Sequence, residues 1–435
     1  MSKNNLMAIA LLGMIIGASG LGLGAYTIIQ VQSGAFQGEN GEDGNDGNDG
    51  ITTTIYVNFT EYPCSSELDI NNAFNDIGTG SGIITIIDNI TLSDTINIDG
   101  GGSYIIQGQG LGTSIDVNWG DRTAFYITNA KSCKIQNLKI DADVINQDDT
   151  AIIFVNELND NPVYINNIQI KGAFSGIGIY IYSDNVWIED CLLDSIYKGI
   201  YQFITAKDAY FSENKITNCD DFGMEIRGSY NSISDNYFFG GIDWAIQIDG
   251  SFNSISNNKI SDCEDGINID GNNNTIVNNI INKIDVGHGI FLEDSDGNVI
   301  SGNSISNLLY GGITLSSSHY NTIHGNSIRF SKTGGISLAA SDYNSISGNF
   351  ISDIYNNVAF NISGIEINSL SDYNTITGNG CFRCVNSHLS YDGYGLFIRN
   401  SNCNQNIVVG NTSLENEQNF KDNGTDTTVG SNNFS

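Results

Sequence analysis

Isoleucine and asparagine alternate along most of the chain in one repeated pattern, N-x-I-x-x-N-x-I. Strict copies begin at Asn231, Asn253, Asn274, Asn298, Asn321 and Asn344, and looser copies begin at Cys133, Val163, Val186, Ala209, Asn374 and Asn406. A second unit follows, in which glycine precedes two apolar residues separated by one variable position, as at Gly223, Gly266, Gly289 and Gly312. Both units alternate with a period of two, which predicts short β-strands.

Short strands without helices between them predict a coil in which each turn lies on the previous one. Parallel strands are about 4.8 Å apart, so each repeat position forms a column through successive turns. The isoleucine columns predict a continuous core. The second asparagine of the motif predicts a buried amide ladder, which is tolerated only if every amide is paired. Its members are Asn214, Asn236, Asn258, Asn279, Asn303, Asn326, Asn349, Asn379 and Asn411.

These units resemble the right-handed parallel β-helix repeats of the pectate-lyase superfamily, in particular the NosD-like repeats. The resemblance covers about residues 80 to 415. It implies an all-β fold, a single-stranded right-handed parallel β-helix of roughly thirteen or fourteen turns at one turn per repeat. The resemblance implies little about activity, because enzymes, tailspikes, binding proteins and structural proteins share this fold.

Other segments flank the predicted β-helix, which we place at residues 81–420. Residues 51–80 predict a strand and a helix that caps the open end of the coil, since Ser66 and Asp69 form a capping box before apolar residues at helical spacing. Residues 421–435 are polar and predict a flexible tail or a segment folded over the last turn. Aromatic residues before the first asparagine of the motif, at Tyr230, Phe252, Tyr320, Tyr343 and Tyr373, predict a stacked ladder.

The first 32 residues predict a transmembrane signal anchor. No charged side chain occurs from Leu6 to Val31, a length that can span a bilayer. Lys3 precedes this segment, so the positive-inside rule places the rest of the chain outside the cytoplasm of a single-pass membrane protein. Ala18-Ser19-Gly20 also resembles a signal-peptide cleavage site, which leaves a cleaved signal as the alternative.

Residues 33–50 predict a spacer between the anchor and the β-helix. They include GENGEDGNDGNDG, which has the collagen register without proline and too few triplets for a triple helix. We interpret it as a charged, self-repelling stalk, with calcium bound by Asp43, Asp46 and Asp49 as an alternative. The anchor and stalk resemble those of archaeal surface proteins.

The net charge of the chain restricts the molecules that it can bind. Seventeen Lys and Arg residues stand against 49 Asp and Glu, a formal net charge of −32 that repels phosphate backbones and excludes nucleic acid as a partner.

Among eight cysteines, a disulfide is plausible only in the cluster of Cys381, Cys384 and Cys403.

The second and fourth residues after each glycine of the second unit are predicted to point outward. This face has aromatic ends and an acidic middle, which is typical of a surface that stacks on sugar rings and binds their hydroxyls. The candidate carbohydrate-binding residues are Tyr180, Tyr182, Tyr201, Phe203, Glu225, Arg227, Phe291 and Glu293. Arg227 is the only obvious cation on the acidic face. Asp249, Asp270 and Glu293 occupy successive turns, so they predict either a calcium site or one protonated acid.

A candidate catalytic set precedes these residues. Asp243, Glu264-Asp265 and Gly287-His288-Gly289 occupy successive turns and resemble the catalytic set of polygalacturonases. The match departs from that family in three ways: Glu264 replaces an Asp, Asp243 is one residue out of register, and the substrate-binding Arg-x-Lys is missing from residues 310–315. With Asp249 and Asp270 added, this set would support glycoside hydrolysis or a lyase reaction.

Two functional classes follow, together with a third, architectural one. The first is a surface protein that binds polysaccharide or cell-surface glycan in adhesion, and the second is a polysaccharide-cleaving enzyme. A purely structural surface protein is the third. The NosD resemblance also raises copper, but soft-metal sites need clustered His, Met or Cys and the four histidines are scattered. The oligomeric state stays open.

Overall fold

The computed structural model describes residues 59–117, 123–142, 150–156, 161–172, 175–356 and 359–434. The predicted anchor at 1–32 and spacer at 33–50, with its three aspartates, therefore lie outside the described residues. Within these ranges, none of the helices has the length and apolar character required to cross a membrane.

Apart from one helix, the regular secondary structure of the described residues consists of short parallel strands. The first fourteen are β1 (Thr60–Cys64), β2 (Ser81–Ile86), β3 (Ile90–Leu92), β4 (Ile96–Ile98), β5 (Ser103–Gly108), β6 (Ser114–Val117), β7 (Phe125–Ile127), β8 (Ser132–Asp141), β9 (Ala151–Val155), β10 (Val163–Lys171), β11 (Ile177–Ile181), β12 (Val186–Glu189), β13 (Leu192–Asp194) and β14 (Lys198–Gln202). The next fourteen are β15 (Tyr210–Ser212), β16 (Lys215–Thr217), β17 (Phe222–Ile226), β18 (Ser232–Ser234), β19 (Tyr237–Phe239), β20 (Trp244–Ile248), β21 (Ser254–Ser256), β22 (Lys259–Cys263), β23 (Asp265–Ile269), β24 (Thr275–Val277), β25 (Ile280–Ile284), β26 (Ile290–Glu293), β27 (Val299–Ser301) and β28 (Ser304–Leu308). The last fourteen are β29 (Gly311–Ser316), β30 (Thr322–His324), β31 (Ser327–Ser331), β32 (Gly334–Ala339), β33 (Ser345–Ser347), β34 (Phe350–Asn356), β35 (Ile362–Asn368), β36 (Thr375–Thr377), β37 (Gly380–Asn386), β38 (Gly393–Ile398), β39 (Ile407–Val409), β40 (Thr412–Leu414), β41 (Gln418–Asp422) and β42 (Thr428–Val429).

Three strands per turn build three parallel sheets. The N-x-I part of the motif forms the first sheet, the second N-x-I part forms the second, and the glycine unit forms the third. The first two are joined into one 28-stranded surface, because β8 and β10 run through the corner between them. The third sheet has 14 strands, from β4 to β41. This division places every glycine unit on one side of the coil.

The coil is longer than the sequence repeats indicate. It has about 15 turns, where the motif count predicts thirteen or fourteen. At the start, β1 pairs with β2 before the first repeat. At the end, β42 pairs with β39 and Asn432 extends the asparagine ladder, so residues after 420 continue the coil instead of forming a flexible tail. The terminal turns lack the repeat motif, and motif counting therefore misses them.

The interior confirms the predicted columns. Isoleucines of all three sheets form one continuous buried core. The predicted amide ladder is present: Asn258 Nδ2 donates to Asn279 Oδ1 at 3.0 Å, and Asn258 Oδ1 accepts from the backbone N–H of Asn236 at 3.0 Å. The ladder begins at Asn214, as predicted.

The first asparagine of the motif forms a second buried ladder that the sequence analysis did not identify. The Asn231 backbone N–H donates to Asn253 Oδ1 at 2.8 Å, and Asn253 repeats this bond with Asn274. Hydroxyls form a third, shorter ladder, in which the Ser295 backbone N–H donates to Ser318 Oγ at 3.1 Å. Each ladder pairs the backbone groups that the corners of the coil leave free.

The predicted capping helix is α1 (Glu67–Ile77). Ser66 Oγ accepts from the Asp69 backbone N–H at 3.2 Å, while the Asp69 carboxylate accepts from the backbone N–H of Ser65, one residue earlier than a capping box predicts. Ile70 and Ile77 are buried against the first turns. The helix therefore covers the open end of the core.

All eight cysteines are buried free thiols. The disulfide considered plausible for Cys381, Cys384 and Cys403 is therefore not formed. Cys381 and Cys384 point into the core, as the isoleucines of neighbouring turns do. Burial raises the pKa of the Cys381 thiol to about 12, which suppresses the reactive thiolate.

Candidate functional site

The candidate site is the outer face of the third sheet, where parallel register brings three columns of side chains together. One column contains Ile177, Lys198, Phe222, Trp244, Asp265 and His288. The middle column contains Phe154, Tyr180, Tyr201, Glu225, Gln247, Asn268 and Phe291. The third contains Tyr182, Phe203, Arg227, Asp249, Asp270 and Glu293, which follow directly after the paired strand residues.

An aromatic patch covers the amino-terminal part of this face. We define it as Tyr126, Phe154, Tyr180, Tyr182, Tyr201 and Phe203. The rings of Phe154 and Tyr180 meet edge to face at 4.7 Å, as do those of Tyr180 and Tyr201 at 4.8 Å, while Tyr182 and Phe203 stack at 4.3 Å. The structure thus brings together the four predicted aromatic residues of this end and adds Tyr126 and Phe154, whose turns lack the glycine unit. Together they form an apolar cluster outside the core.

A pocket of about 380 Å³ opens where the patch ends. Ile177, Tyr180, Lys198, Tyr201 and Arg227 line it. Its apolar walls come from the aromatic patch, and its cations come from the next two turns. Its lining therefore combines tyrosine rings with cations at fixed positions.

An ion-pair cluster forms one side of the pocket. We define it as Lys198, Glu225 and Arg227 with their outer partners Asp221 and Asp249. Glu225 is only 2 % exposed, and its carboxylate binds Lys198 Nζ at 2.8 Å and Arg227 Nε at 2.8 Å. Asp221 lies 3.7 Å from Lys198 Nζ, and Asp249 lies 3.3 Å from Arg227 Nε. A buried carboxylate held between two cations fixes the positions of both.

Lys198 is a residue of the candidate site that the sequence analysis missed, so the prediction of Arg227 as the only cation of this face is wrong. Lys198 precedes the glycine of its turn, a position at which the repeat makes no demand. Its ammonium lies over the rings of Phe222 and Tyr201, at 5.0 and 5.4 Å. Burial alone would lower the pKa of Lys198, but its hydrogen bond to Glu225 and the nearby carboxylates raise it overall. It therefore stays charged.

Four of the predicted catalytic residues, Asp243, Glu264, Asp265 and His288, lie downstream of the pocket, at the amino-terminal ends of strands of the third sheet. Asp221, Asp243 and Glu264 follow one another on successive turns, since the residues after them pair as Phe222, Trp244 and Asp265. The structure therefore confirms that Asp243 is one residue out of register with Asp265. Burial is the main cause of the raised pKa of Asp243, and the charge of Glu264 adds to it.

Asp265 and His288 meet through the backbone. Asp265 Oδ1 accepts from the His288 backbone N–H at 2.8 Å, and burial still raises the pKa of Asp265. The His288 imidazole lies 5.1 Å from the ring of Phe291 and 5.9 Å from that of Tyr310. Burial lowers the pKa of His288, so the ring is neutral near pH 7.

The third column brings Asp249, Asp270 and Glu293 onto successive turns, as predicted. Amides of the middle column bridge two of these carboxylates: Gln247 Nε2 donates to Asp249 Oδ1 at 2.6 Å and to Asp270 Oδ2 at 3.1 Å. Burial is the main cause of the raised pKa of Asp270, followed by the charges of Asp249 and Glu293. The ladder of like charges is thus only partly compensated.

This raised pKa predicts a pH-dependent gain of stability on replacing Asp270 with asparagine. Because the pKa is higher in the folded state, the stability linked to Asp270 is present at low pH and lost as the pH rises through the folded pKa. We therefore expect Asp270→Asn to raise the melting temperature at pH 7 and to have little effect near pH 4. Thermal unfolding at both pH values, with the corner variant Asp235→Asn as control, measures this. A lower melting temperature for Asp270→Asn at pH 7 would contradict it.

Among the described residues, no set of side chains is arranged to bind the metals that the sequence analysis considered. No three His, Cys, Asp or Glu side chains in the described ranges are grouped so that they could hold a metal ion. His319 and His324 lie on separate elements, one at a corner and one on β30, so the donor set does not fit copper. Calcium at Asp249, Asp270 and Glu293 stays a prediction that nothing else tests.

Comparisons with known proteins agree with the fold. The family model described as "Periplasmic copper-binding protein (NosD)" matches residues 245–435, and the model described as "Right handed beta helix region" matches residues 150–287. No curated protein matches the chain. Together, the family matches and the coil identify a right-handed parallel β-helix of repeats.

Solved structures resemble the chain at low identity. The mannuronan C-5 epimerase AlgE6 A-module of Azotobacter vinelandii is 13 % identical, with 84 % of this chain and 93 % of that chain covered and a TM-score of 0.46. DFA-IIIase of Arthrobacter chlorophenolicus A6 is 13 % identical, with coverages of 74 % and 95 % and a TM-score of 0.47. Gene product 12 of bacteriophage phi29 is 14 % identical, with coverages of 79 % and 53 % and a TM-score of 0.58. At such identities these likenesses concern the fold alone.

Proposed function

We propose that this right-handed β-helix repeat protein binds polysaccharide or glycan outside the cytoplasm, on the outer face of its third sheet. The observation that carries the proposal is the pocket between the aromatic patch and the ion-pair cluster. Tyr180 and Tyr201 provide ring surface, and Lys198 and Arg227 provide donors at fixed positions. Sugar recognition needs both, because the faces of the sugar ring are apolar and its rim carries hydroxyls.

Surface display completes the proposal. The predicted anchor at 1–32 and stalk at 33–50 would hold the coil outside the membrane, with the bulk of the chain extracytoplasmic. A rigid coil presents the aromatic patch and the pocket on one long side, so an extended polymer could contact several turns at once. This arrangement favours adhesion to a polymer over capture of a small soluble molecule.

A polysaccharide-cleaving enzyme is the second candidate. It is favoured by the raised pKa values of Asp243 and Asp265 beside the neutral His288, since raising the pKa of a carboxyl brings it closer to the range suited to general acid catalysis. Carboxylates one and two turns apart, about 5 and 10 Å by the strand spacing, also bracket the separations used by retaining and inverting glycoside hydrolases.

One incubation tests binding and cleavage together. The full chain is mixed with a panel of neutral, cationic and acidic polysaccharides, and both bound polymer and new reducing or unsaturated ends are measured. We expect binding without new ends. New ends that disappear in Asp265→Asn would establish the enzyme instead, and neither binding nor cleavage would leave the architectural role.

Tyr201→Ala is expected to weaken glycan binding by about 2 kcal/mol, a roughly thirtyfold loss of affinity, because it removes a central aromatic anchor. Tyr201→Phe keeps the ring and should retain most of the affinity. Tyr343→Ala removes a ring of the same size from the exposed corner stack, where Tyr343 lies 5.1 Å from Tyr320, and serves as the matched control. Equal losses in Tyr201→Ala and Tyr343→Ala would show that the pocket is not the binding site.

A further inference from the structure

The third sheet carries a strong excess of negative charge immediately downstream of the pocket. We define the acidic region as Asp221, Asp243, Asp249, Glu264, Asp265, Asp270 and Glu293. With Glu225 added, eight carboxylates share this surface with Lys198 and Arg227, whose charges are already paired. A negatively charged polymer would be repelled along this whole stretch.

The acidic region also has few free hydrogen-bond donors. Both donor contacts of Gln247 Nε2 are to the carboxylates of Asp249 and Asp270. Asn268 Nδ2 donates to Gln247 Oε1 at 2.7 Å and to Asp270 Oδ1 at 3.3 Å. The amides of the middle column are therefore fully used as donors, while the carboxylates retain free acceptor positions.

One buried acceptor in this region has no partner. Asn268 is 6 % exposed, and among the described residues nothing donates to its Oδ1 atom. Its side chain lies between the two acidic columns and is fixed by its bonds to Gln247 and Asp270. Leaving such an acceptor unpaired is costly in free energy. The acidic region thus lacks both compensating positive charge and hydrogen-bond donors.

We infer that the acidic region recognises a cationic glycan, one that carries free amines, in preference to neutral or uronic acid glycans. This inference rests on the proposed glycan binding and names its ligand class. A sugar ammonium supplies one positive charge and three donors, which are the two things that the region lacks. Carboxylates recur on every turn from Asp221 to Glu293, so a polymer with one amine per sugar can meet them in succession.

Ring surfaces for such a ligand are present in the same region. Trp244 is half-buried and lies one turn before Asp265 in the same column, and the His288 and Phe291 rings stack one turn after it. A metal ion would also supply positive charge, but no three of these carboxylates are grouped to ligate one. Burial, followed by the charges of neighbouring carboxylates, raises the pKa values of Asp243, Asp265 and Asp270, and a bound ammonium would offset that repulsion.

Calorimetric titration of the full chain at near-physiological salt tests the inference. The probes share one backbone length: a β-1,4-linked glucosamine tetrasaccharide, its N-acetylated neutral form and tetragalacturonate. We expect the amine form to bind at least about tenfold more tightly than the N-acetylated form, since hydrogen bonds to charged groups are roughly twice as strong as neutral ones. Tetragalacturonate should bind most weakly.

Two double variants distinguish binding at the acidic region from a general attraction of the cationic glycan to an acidic protein. The double variant Asp270→Asn/Glu293→Gln is expected to lower affinity for the amine form about tenfold and to leave the N-acetylated form unchanged. Glu213→Gln/Asp235→Asn removes the same charge at the corner between the first and second sheets and should change neither affinity.

The outcomes separate failure of the inference from failure of the proposed function. Equal or tighter binding of the N-acetylated form or of tetragalacturonate would overturn the inference and leave glycan binding intact. An equal loss in both double variants would also overturn it, because the attraction would then be non-specific. If no glycan of any charge binds, the proposed function fails and the inference fails with it.

Discussion

Replacing Asn258 with alanine is expected to lower the free energy of unfolding by about 4 kcal/mol, because it removes the central link of a buried amide ladder. Asn258 Nδ2 donates to the Ile233 carbonyl at 2.9 Å and to Asn279 Oδ1 at 3.0 Å. Its Oδ1 accepts from the backbone N–H and the side chain of Asn236, both at 3.0 Å. Alanine removes these four bonds and leaves the buried Asn236 backbone N–H without its acceptor.

Urea unfolding followed by circular dichroism measures the loss, with Ser254→Ala as the control. Ser254 lies on β21, the strand that leads to Asn258, but its side chain is on the outer face and only half-buried. We expect that change to stay within about 0.5 kcal/mol. An Asn258→Ala protein that unfolds at the same urea concentration as the parent would show that the ladder contributes little to stability.

The asparagine ladder also shows why the fold could be predicted from the sequence. A coil of parallel strands places the same repeat position of every turn in one column, so a period read from the sequence gives the spatial neighbours directly. Asn258 and Asn279 are 21 residues apart in the chain and hydrogen-bonded in the structure. Turns without the motif carry no such information, which is why the first and last turns were missed.

The candidate site was only partly predictable, for a different physical reason. Alternation along a strand tells which side a residue faces, and it correctly placed Glu225 and Tyr201 on the outer side. It does not tell whether long neighbouring side chains cover that residue. Glu225 is buried because Lys198 and Arg227 reach over it from adjacent positions. The only sequence signal for this burial was Lys198, which stands just before Gly199 in the turn that precedes Glu225.

The acidic residues show the same limit. The strand register inferred from the repeat predicted the column of Asp249, Asp270 and Glu293 and the offset of Asp243 from Asp265. It could not give the amide bridges from Gln247 and Asn268, because these depend on side-chain rotamers and on which donors the neighbours leave free. The chemistry of the face is therefore decided by pairing across turns, a property that no single repeat contains.

Gly250→Ala is expected to destabilise the coil by about 4 kcal/mol or more, because the added Cβ atom would clash with the backbone of the preceding turn and force the two turns apart. A Cβ atom on Gly250 would lie 1.8 Å from the Gly228 carbonyl oxygen and 2.5 Å from its carbon. Both atoms belong to the backbone, so no side chain can rotate away. Gly271 repeats the contact with the Gly250 oxygen at 1.9 Å, which places three glycines in one tightly spaced column.

The same substitution should also weaken glycan binding, since this glycine column sets the spacing of the site. Gly228 follows Arg227 and Gly250 follows Asp249, so moving the two glycines apart separates the ion pair that closes the pocket. Gly112→Ala is the control: a Cβ atom there meets nothing within 4 Å, and its effect should stay within about 0.5 kcal/mol. Thermal unfolding and glycan titration of both variants measure the two effects. A Gly250→Ala protein with parental stability but impaired binding would mean that the turns can separate locally, and the rigidity assumed for the site would then be wrong.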